Sequence, residues 1–282
     1  MIAAPVIRGL ALSAAAAGWI AAGPAFADFL ESPAAETVDI PTRPGITERY
    51  ALWMPDAAPK AVAFLFIGGE GVANLQEKVP TTYAQRGNFL TRSREWFRRR
   101  GFAVVAVDAP SDRKGGMVAG FRLTAEHATD IAAVIADVRR RVPGLPVWLI
   151  GTSRGSVSAA SVASRVPPSS GPDGIVLTSS VSRIPGAGAA SRDHVLDVDL
   201  SLIRVPALIV YHRADSCFVV SISDGGQIQR KLTNSPRTEL LVFDGGDPPQ
   251  SPPCEPLAPH GYFGIEGKVV DAIADWILSP KS

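Results

Sequence analysis

The sequence predicts an α/β fold, a mostly parallel twisted sheet with helices on both faces. Two observations lead there. From about residue 60 onward, short continuous apolar runs alternate with segments whose apolar residues recur at helical spacing, the pattern of βαβ crossovers. The chain is 282 residues long and 46% hydrophobic, and no linker divides it, which suits one large domain better than two.

The elements follow in order. Residues 1–27 carry a lone Arg8, the apolar run "GLALSAAAAGWIAAG" and a small-residue exit at Ala25-Phe26-Ala27. Charge, short apolar run and A-x-A exit read as a secretory signal peptide cut before Asp28, so the folded domain is expected over 28–282. "ETVDIPTRPGITERYALWM" (36–54) reads as a hairpin around Pro44-Gly45 and adds an antiparallel edge. "AVAFLFIGG" (61–69) is a first buried strand, "NFLTRSREWFRRRG" (88–101) a helix stopped by Gly101, and "FAVVAVDAP" (102–110) a second strand. "TAEHATDIAAVIADVRRRV" (124–142) is a helix with Thr124 as N-cap and Pro143 just beyond. Then come strand "PVWLIG" (146–151), helix "SVSAASVASRV" (156–166), and strands "GIVLTSS" (174–180), "PALIVYHRAD" (206–215) and "TELLVFDGG" (238–246). "IEGKVVDAIADWILS" (265–279) is a closing helix.

Charge excludes some partners. Without the signal, 27 basic residues face 27 acidic ones, because Arg8 is the one charge lost from 28 and 27. A neutral balance gives no footing for nucleic acid or an anionic membrane. The runs "FRRRG" and "VRRRVPG" end helices, where cations complement the helix dipole. No Cys/His cluster has zinc-site spacing, and no metal or cofactor is expected.

"VWLIGTSRGSVSAA" sets Ser153 in a G-x-S-x-G pentapeptide between a buried strand and a helix of small residues. A tight strand-to-helix turn crowds the positions two before and two after its apex, and Gly151 and Gly155 bring no Cβ there. Such a serine needs a base. Of the four histidines, His260 lies after the last strand and before the last helix, in a loop able to reach the sheet's C-terminal edge. His127 falls inside a helix and reads as a surface or packing residue, His212 near a strand end reads as structural, and His194 has no partner legible in the sequence. The base needs an orienting acid. Asp215 ends the fifth strand, and Asp244 and Asp247 after the sixth are its rivals, with a turn role as their alternative.

"GTSRG", "HRADSC" and "PHGYFGIEG" occur in that order, after a glycine-rich turn behind the first central strand. From about 60 to 280 the chain thereby resembles an α/β-hydrolase-fold serine hydrolase. "NFLTRSREWF", "VDAPSDR" and the Ser153 segment are similar to exported bacterial α/β-hydrolases of unassigned substrate. The resemblance implies Ser153 as nucleophile, His260 as general base and acid, and Asp215 as its partner. It implies an oxyanion hole from the N–H of Arg154 and one from the loop "IGGEG"; Ile67 stands where many relatives carry His, and Gly69 is favoured over Glu70 as donor. Only residues 181–205 lie between the fourth and fifth strands, too few for a large lid domain.

If Asp215 and His260 meet, their loops are neighbours, and each carries one cysteine, Cys217 and Cys254. In an exported chain these are expected to form a disulfide. It closes a loop of roughly 38 residues, for which chain entropy allows about 4 kcal/mol at most. The expected protein is a periplasmic or secreted hydrolase of a small carboxylic ester or thioester, acting through an acyl-enzyme. A peptidase or amidase of the same fold, and a non-catalytic binding protein on it, are the alternatives.

Overall fold

Strands that are apolar throughout must be covered on both faces. In a computed structural model, which describes Met1 and residues 35–75, 87–117, 120–183 and 193–279, they are. The expected signal peptide, Met1 apart, lies outside the described residues. Eight strands form one sheet: β1 (Glu36–Arg43), β2 (Ile46–Trp53), β3 (Ala61–Phe66), β4 (Phe102–Val107), β5 (Val147–Thr152), β6 (Gly174–Thr178), β7 (Ala207–His212) and β8 (Thr238–Phe243). Their order is β1-β2-β4-β3-β5-β6-β7-β8. β3 to β8 are parallel, while β1 pairs β2, and β2 pairs β4, antiparallel. The hairpin thus adds the antiparallel edge that its sequence predicts.

Among the described residues five α-helices cover the sheet: α1 (Phe89–Arg99), α2 (Ala125–Arg141), α3 (Gly155–Arg165), α4 (Ile222–Lys231) and α5 (Glu266–Leu278). Successive strand residues face opposite sides, and the two cores divide accordingly. Val62, Phe64 and Phe66 pack with Val147 and Leu149 under α2, α3 and α4. Ala61, Ala63 and Leu65 pack with Trp148 and Ile150 under α1 and α5. Each fully buried Val, Leu, Ile or Phe contributes about 1.5–3 kcal/mol, so both faces stabilise the sheet.

Local chemistry sets the helix ends. The Thr124 hydroxyl accepts from the His127 N–H at 3.2 Å and caps α2. The basic runs closing α1 and α2 are consumed by ion pairs: Arg98 with Glu95 at 2.7 Å, Arg139 with Asp173 at 3.0 Å, and Arg141 with Asp137 at 2.8 Å. α4 has no counterpart in the sequence reading. Among the described residues, no helix is long and apolar enough to cross a membrane. Residues 179–206 join β6 to β7, and no large lid domain is present among the described residues.

Candidate active site

The strand order reverses at β3. The chain leaves β3 for β4 on one side and later enters β5 on the other. Sites in open parallel sheets form at such a reversal, beyond the carboxyl ends of the strands. The loop after β3 holds Ile67 to Gly71, and Ser153 directly follows β5.

Ser153 has φ +53°, in the left-handed region, on a two-residue turn between β5 and α3. The flanking glycines are obligatory. A Cβ on Gly151 would strike the carbonyl of Gly155, and one on Gly155 the carbonyl of Phe66. The turn is pinned by the Ser153 N–H donating to Thr178 O at 3.0 Å and by the Ser156 hydroxyl donating to Ser153 O at 2.6 Å.

β7 and β8 run parallel beside β5 and β6, so the loops that follow them reach the same edge. His260 Nδ1 lies 2.9 Å from Asp215 Oδ2, with both side chains buried. The other Asp215 oxygen accepts from the Cys217 N–H at 3.0 Å. The Ser179 hydroxyl donates to His260 O at 2.9 Å, and the buried Tyr262 hydroxyl donates to Val210 O at 2.9 Å. Arg92, buried on α1, donates to the carbonyl of Gly261 and pairs with Glu266 at 2.8 Å. Burial pulls its guanidinium below the usual arginine range, with Glu266 opposing. Cys217 and Cys254 form a disulfide.

Ser153 and His260 line one cavity of about 320 Å³, with Ile67, Val72, Phe89 and Pro256 as apolar wall and Glu70 and Glu255 as carboxylates. No hydrogen bond joins the Ser153 hydroxyl to the imidazole among the described residues. Such contacts commonly tighten only with substrate bound. Gly69 and Glu70 line the same cavity. The backbone N–H groups of Arg154, Gly69 and Glu70 have no acceptor among the described residues. The side chains of Arg154 and Glu70 meet at 3.3 Å.

The rivals lie elsewhere. Asp244 pairs with Arg213 at 2.9 Å, and the N–H of Asp247 donates to Phe263 O at 3.0 Å. His212 Nε2 donates to Gly245 O at 2.8 Å while Nδ1 accepts from the Ala214 N–H at 3.1 Å, which makes it a structural brace between β7 and the loop after β8. His194 lies 3.5 Å from Asp197. His127 is buried between Phe66 and Phe121, and burial pushes its pKa down to about 3, with help from Arg122 and Arg43. Sequence reasoning missed Arg92, Arg122 and Ser179. An isolated arginine in a helical segment, or a serine after a strand, carries no signal of its own.

The family profile described as serine aminopeptidase, S33, matches residues 83–194, which hold Ser153 but neither Asp215 nor His260. No curated protein matches the chain. Solved structures share its fold. An α/β serine hydrolase without lid from Xanthomonas campestris aligns over 89% of this chain and 97% of its own, at 17% identity and TM-score 0.55. A highly thermostable carboxyl esterase from Bacillus coagulans aligns over 87% and 98%, at 12% identity and TM-score 0.58. Est1E from Butyrivibrio proteoclasticus, solved with ferulic acid, aligns over 86% and 98%, at 14% identity and TM-score 0.57. At such identities the structures speak for the fold, and the profile speaks for the segment around Ser153. Together they give the chain an α/β-hydrolase fold, with a match to a serine-hydrolase family over residues 83–194, around Ser153.

Proposed function

We propose that this protein is an exported carboxylic-ester hydrolase, its folded domain spanning 28–282, and that Ser153, His260 and Asp215 form its triad. One observation carries the reading: the Asp215–His260 hydrogen bond lies at the wall of the cavity that also holds Ser153. Asp215 fixes the imidazole with Nδ1 as its donor and stabilises the imidazolium that forms. His260 Nε2 removes the Ser153 proton as Oγ attacks the carbonyl carbon. The oxyanion is held by the N–H groups of Arg154 and Gly69, with Glu70 beside them. The proton returns from His260 to the leaving alkoxide, or thiolate for a thioester, and water then releases the acid by the same route. The apolar wall of Ile67, Val72, Phe89 and Pro256 suits an acyl or aryl group.

Export is supported by the amino-terminal pattern and by the disulfide, since cytosolic thiols stay reduced. Peptidase action is a second reading, favoured by the description of the matching family and by Glu70 and Glu255, carboxylates able to face a substrate ammonium.

Purified mature protein should hydrolyse p-nitrophenyl esters faster than aminoacyl anilides and take up a fluorophosphonate at Ser153. Ser153→Ala should abolish both, and Asp215→Asn should lower kcat by about 10⁴. Turnover that survives Ser153→Ala overturns the reading, and preference for the anilides selects the peptidase.

A further inference from the structure

Arg122 is completely buried in a short helical turn, Phe121–Leu123, and the chemistry above makes no use of it. No carboxylate contacts its guanidinium among the described residues. Burial pushes its pKa down to about 10, opposed by Asp193 and Glu70, so it stays a cation at neutral pH. A buried cation without a contacting anion is costly, and an apolar side chain of similar volume would not carry that cost. What the guanidinium adds is a fork of donors. One arm donates to the Ser158 hydroxyl at 2.7 Å. The other reaches two carbonyls, Gly69 O at 3.3 Å and Ile67 O at 3.5 Å.

Those acceptors belong to the two halves of the proposed oxyanion hole. Ser158 is on α3, whose first turn presents the Arg154 N–H. Ile67 and Gly69 are on the loop after β3. The carbonyl between them, Gly68 O, accepts from the Gly71 N–H at 3.2 Å. Three consecutive carbonyls are therefore held from behind. In a trans peptide the N–H points opposite to the C=O, and no cis peptide occurs among the described residues. Holding Gly68 O and Gly69 O fixes the directions of the Gly69 and Glu70 N–H groups, neither of which has an acceptor among the described residues. A cation on the Gly69 carbonyl also polarises that peptide and strengthens its N–H as a donor. The fit is close: a Cβ on Gly71 would collide with the guanidinium.

We infer that Arg122 is a positioning residue that clamps the loop after β3 to α3 and aims the loop's N–H groups at the oxyanion. This rests on the serine-hydrolase reading above. The clamp acts on charge that exists only in the tetrahedral state, so its loss lowers kcat and leaves KM nearly unchanged.

The test combines ester kinetics with binding of an alkyl boronic acid, which forms a tetrahedral anion on the serine. Arg122→Met and Arg122→Gln should lower kcat by about 10–100-fold, below the 10²–10³ of deleting an oxyanion donor outright. KM should stay within threefold, and boronate affinity should fall by the same factor as kcat. Arg122→Lys should recover part of the loss. Ser158→Ala removes one anchor and keeps the guanidinium with its two carbonyl contacts. It should lower kcat several-fold and, with one arm of a buried cation left without an acceptor, lower the melting temperature by a few degrees in a protein that still folds; it keeps the test decisive if the Arg122 variants fail to fold. Unchanged kcat in folded Arg122 variants, or in Ser158→Ala if none folds, overturns the inference; so does a loss confined to KM or unmatched by the boronate. Ser153→Ala, run alongside, separates the two readings: activity that survives it sinks the hydrolase mechanism, whereas its inactivity beside unaffected Arg122 variants sinks only the clamp.

Discussion

At Ser153 the backbone and the chemistry pull against each other. A side chain held at φ +53° costs about 1–3 kcal/mol relative to glycine, and glycine returns about 0.5–1 kcal/mol of that through its freer unfolded chain. Ser153→Gly is therefore expected to be inactive yet about 1 kcal/mol more stable than Ser153→Ala, measured by urea denaturation of both. Equal stabilities would mean the turn is unstrained. The sequence makes this residue legible because the strain leaves a mark: two glycines at fixed offsets, each required by a carbonyl that a Cβ would strike. Asp215 and His260 are legible through their order along the chain. Arg122 and Arg92 are not. Each is buried by contacts with segments far away in sequence, such as Ser158 at 36 residues and Glu266 at 174, and no local pattern announces them.

At the scale of elements, the strands were readable because burial on both faces turns them into unbroken apolar runs. α4 was not, because Gly225-Gly226 interrupts it where a helix favours other residues. Packing explains the exception. A Cβ on Gly225 would come within 2.9 Å of the Tyr211 ring and 3.1 Å of Leu240, so close approach to β7 and β8 outweighs helix propensity. The loops after β7 and β8 form a unit of their own, tied by Cys217–Cys254 across a separation of 37 residues. Cys217 also donates its N–H to Asp215, and Cys254 lines the cavity. Reduction, or Cys254→Ser, is expected to lower kcat several-fold at temperatures where circular dichroism still reports a folded protein, because the loops that hold Asp215 and His260 lose their common anchor. Thiol titration of denatured protein counts the cysteines freed. Full activity in the reduced, folded protein would show that the loops hold without the bond.

Across the whole molecule, two buried groups oppose each other in pH. Glu48 on β2 has no hydrogen-bond partner among the described residues, and burial, then Asp130 and Asp108, push its pKa up to about 9. Raised in the fold, it contributes stability fully present below its unfolded value of 4.5 and lost as pH climbs toward 9. His127, lowered to about 3, contributes stability present above 6.5 and lost as pH falls toward 3. Each interval spans several units at about 1.4 kcal/mol per unit. From these two groups, stability should be greatest near pH 4.5–6.5 and decline on both sides. Glu48→Gln should flatten the alkaline decline, and His127→Phe the acid one, in denaturation series from pH 3 to 9; a wild-type slope that persists in either variant assigns it to other groups. The parallel run of β3 to β8 has one more consequence. The loops that hold Ser153, Asp215, His260 and residues 67–71 leave from the same rim, and the turns at 143–146, 167–173 and 233–237 lie on the opposite one. Tethering to a surface through residues 168–171 should leave turnover unaltered and point the cavity that holds Ser153 and His260 outward, making that turn the natural place for a linker.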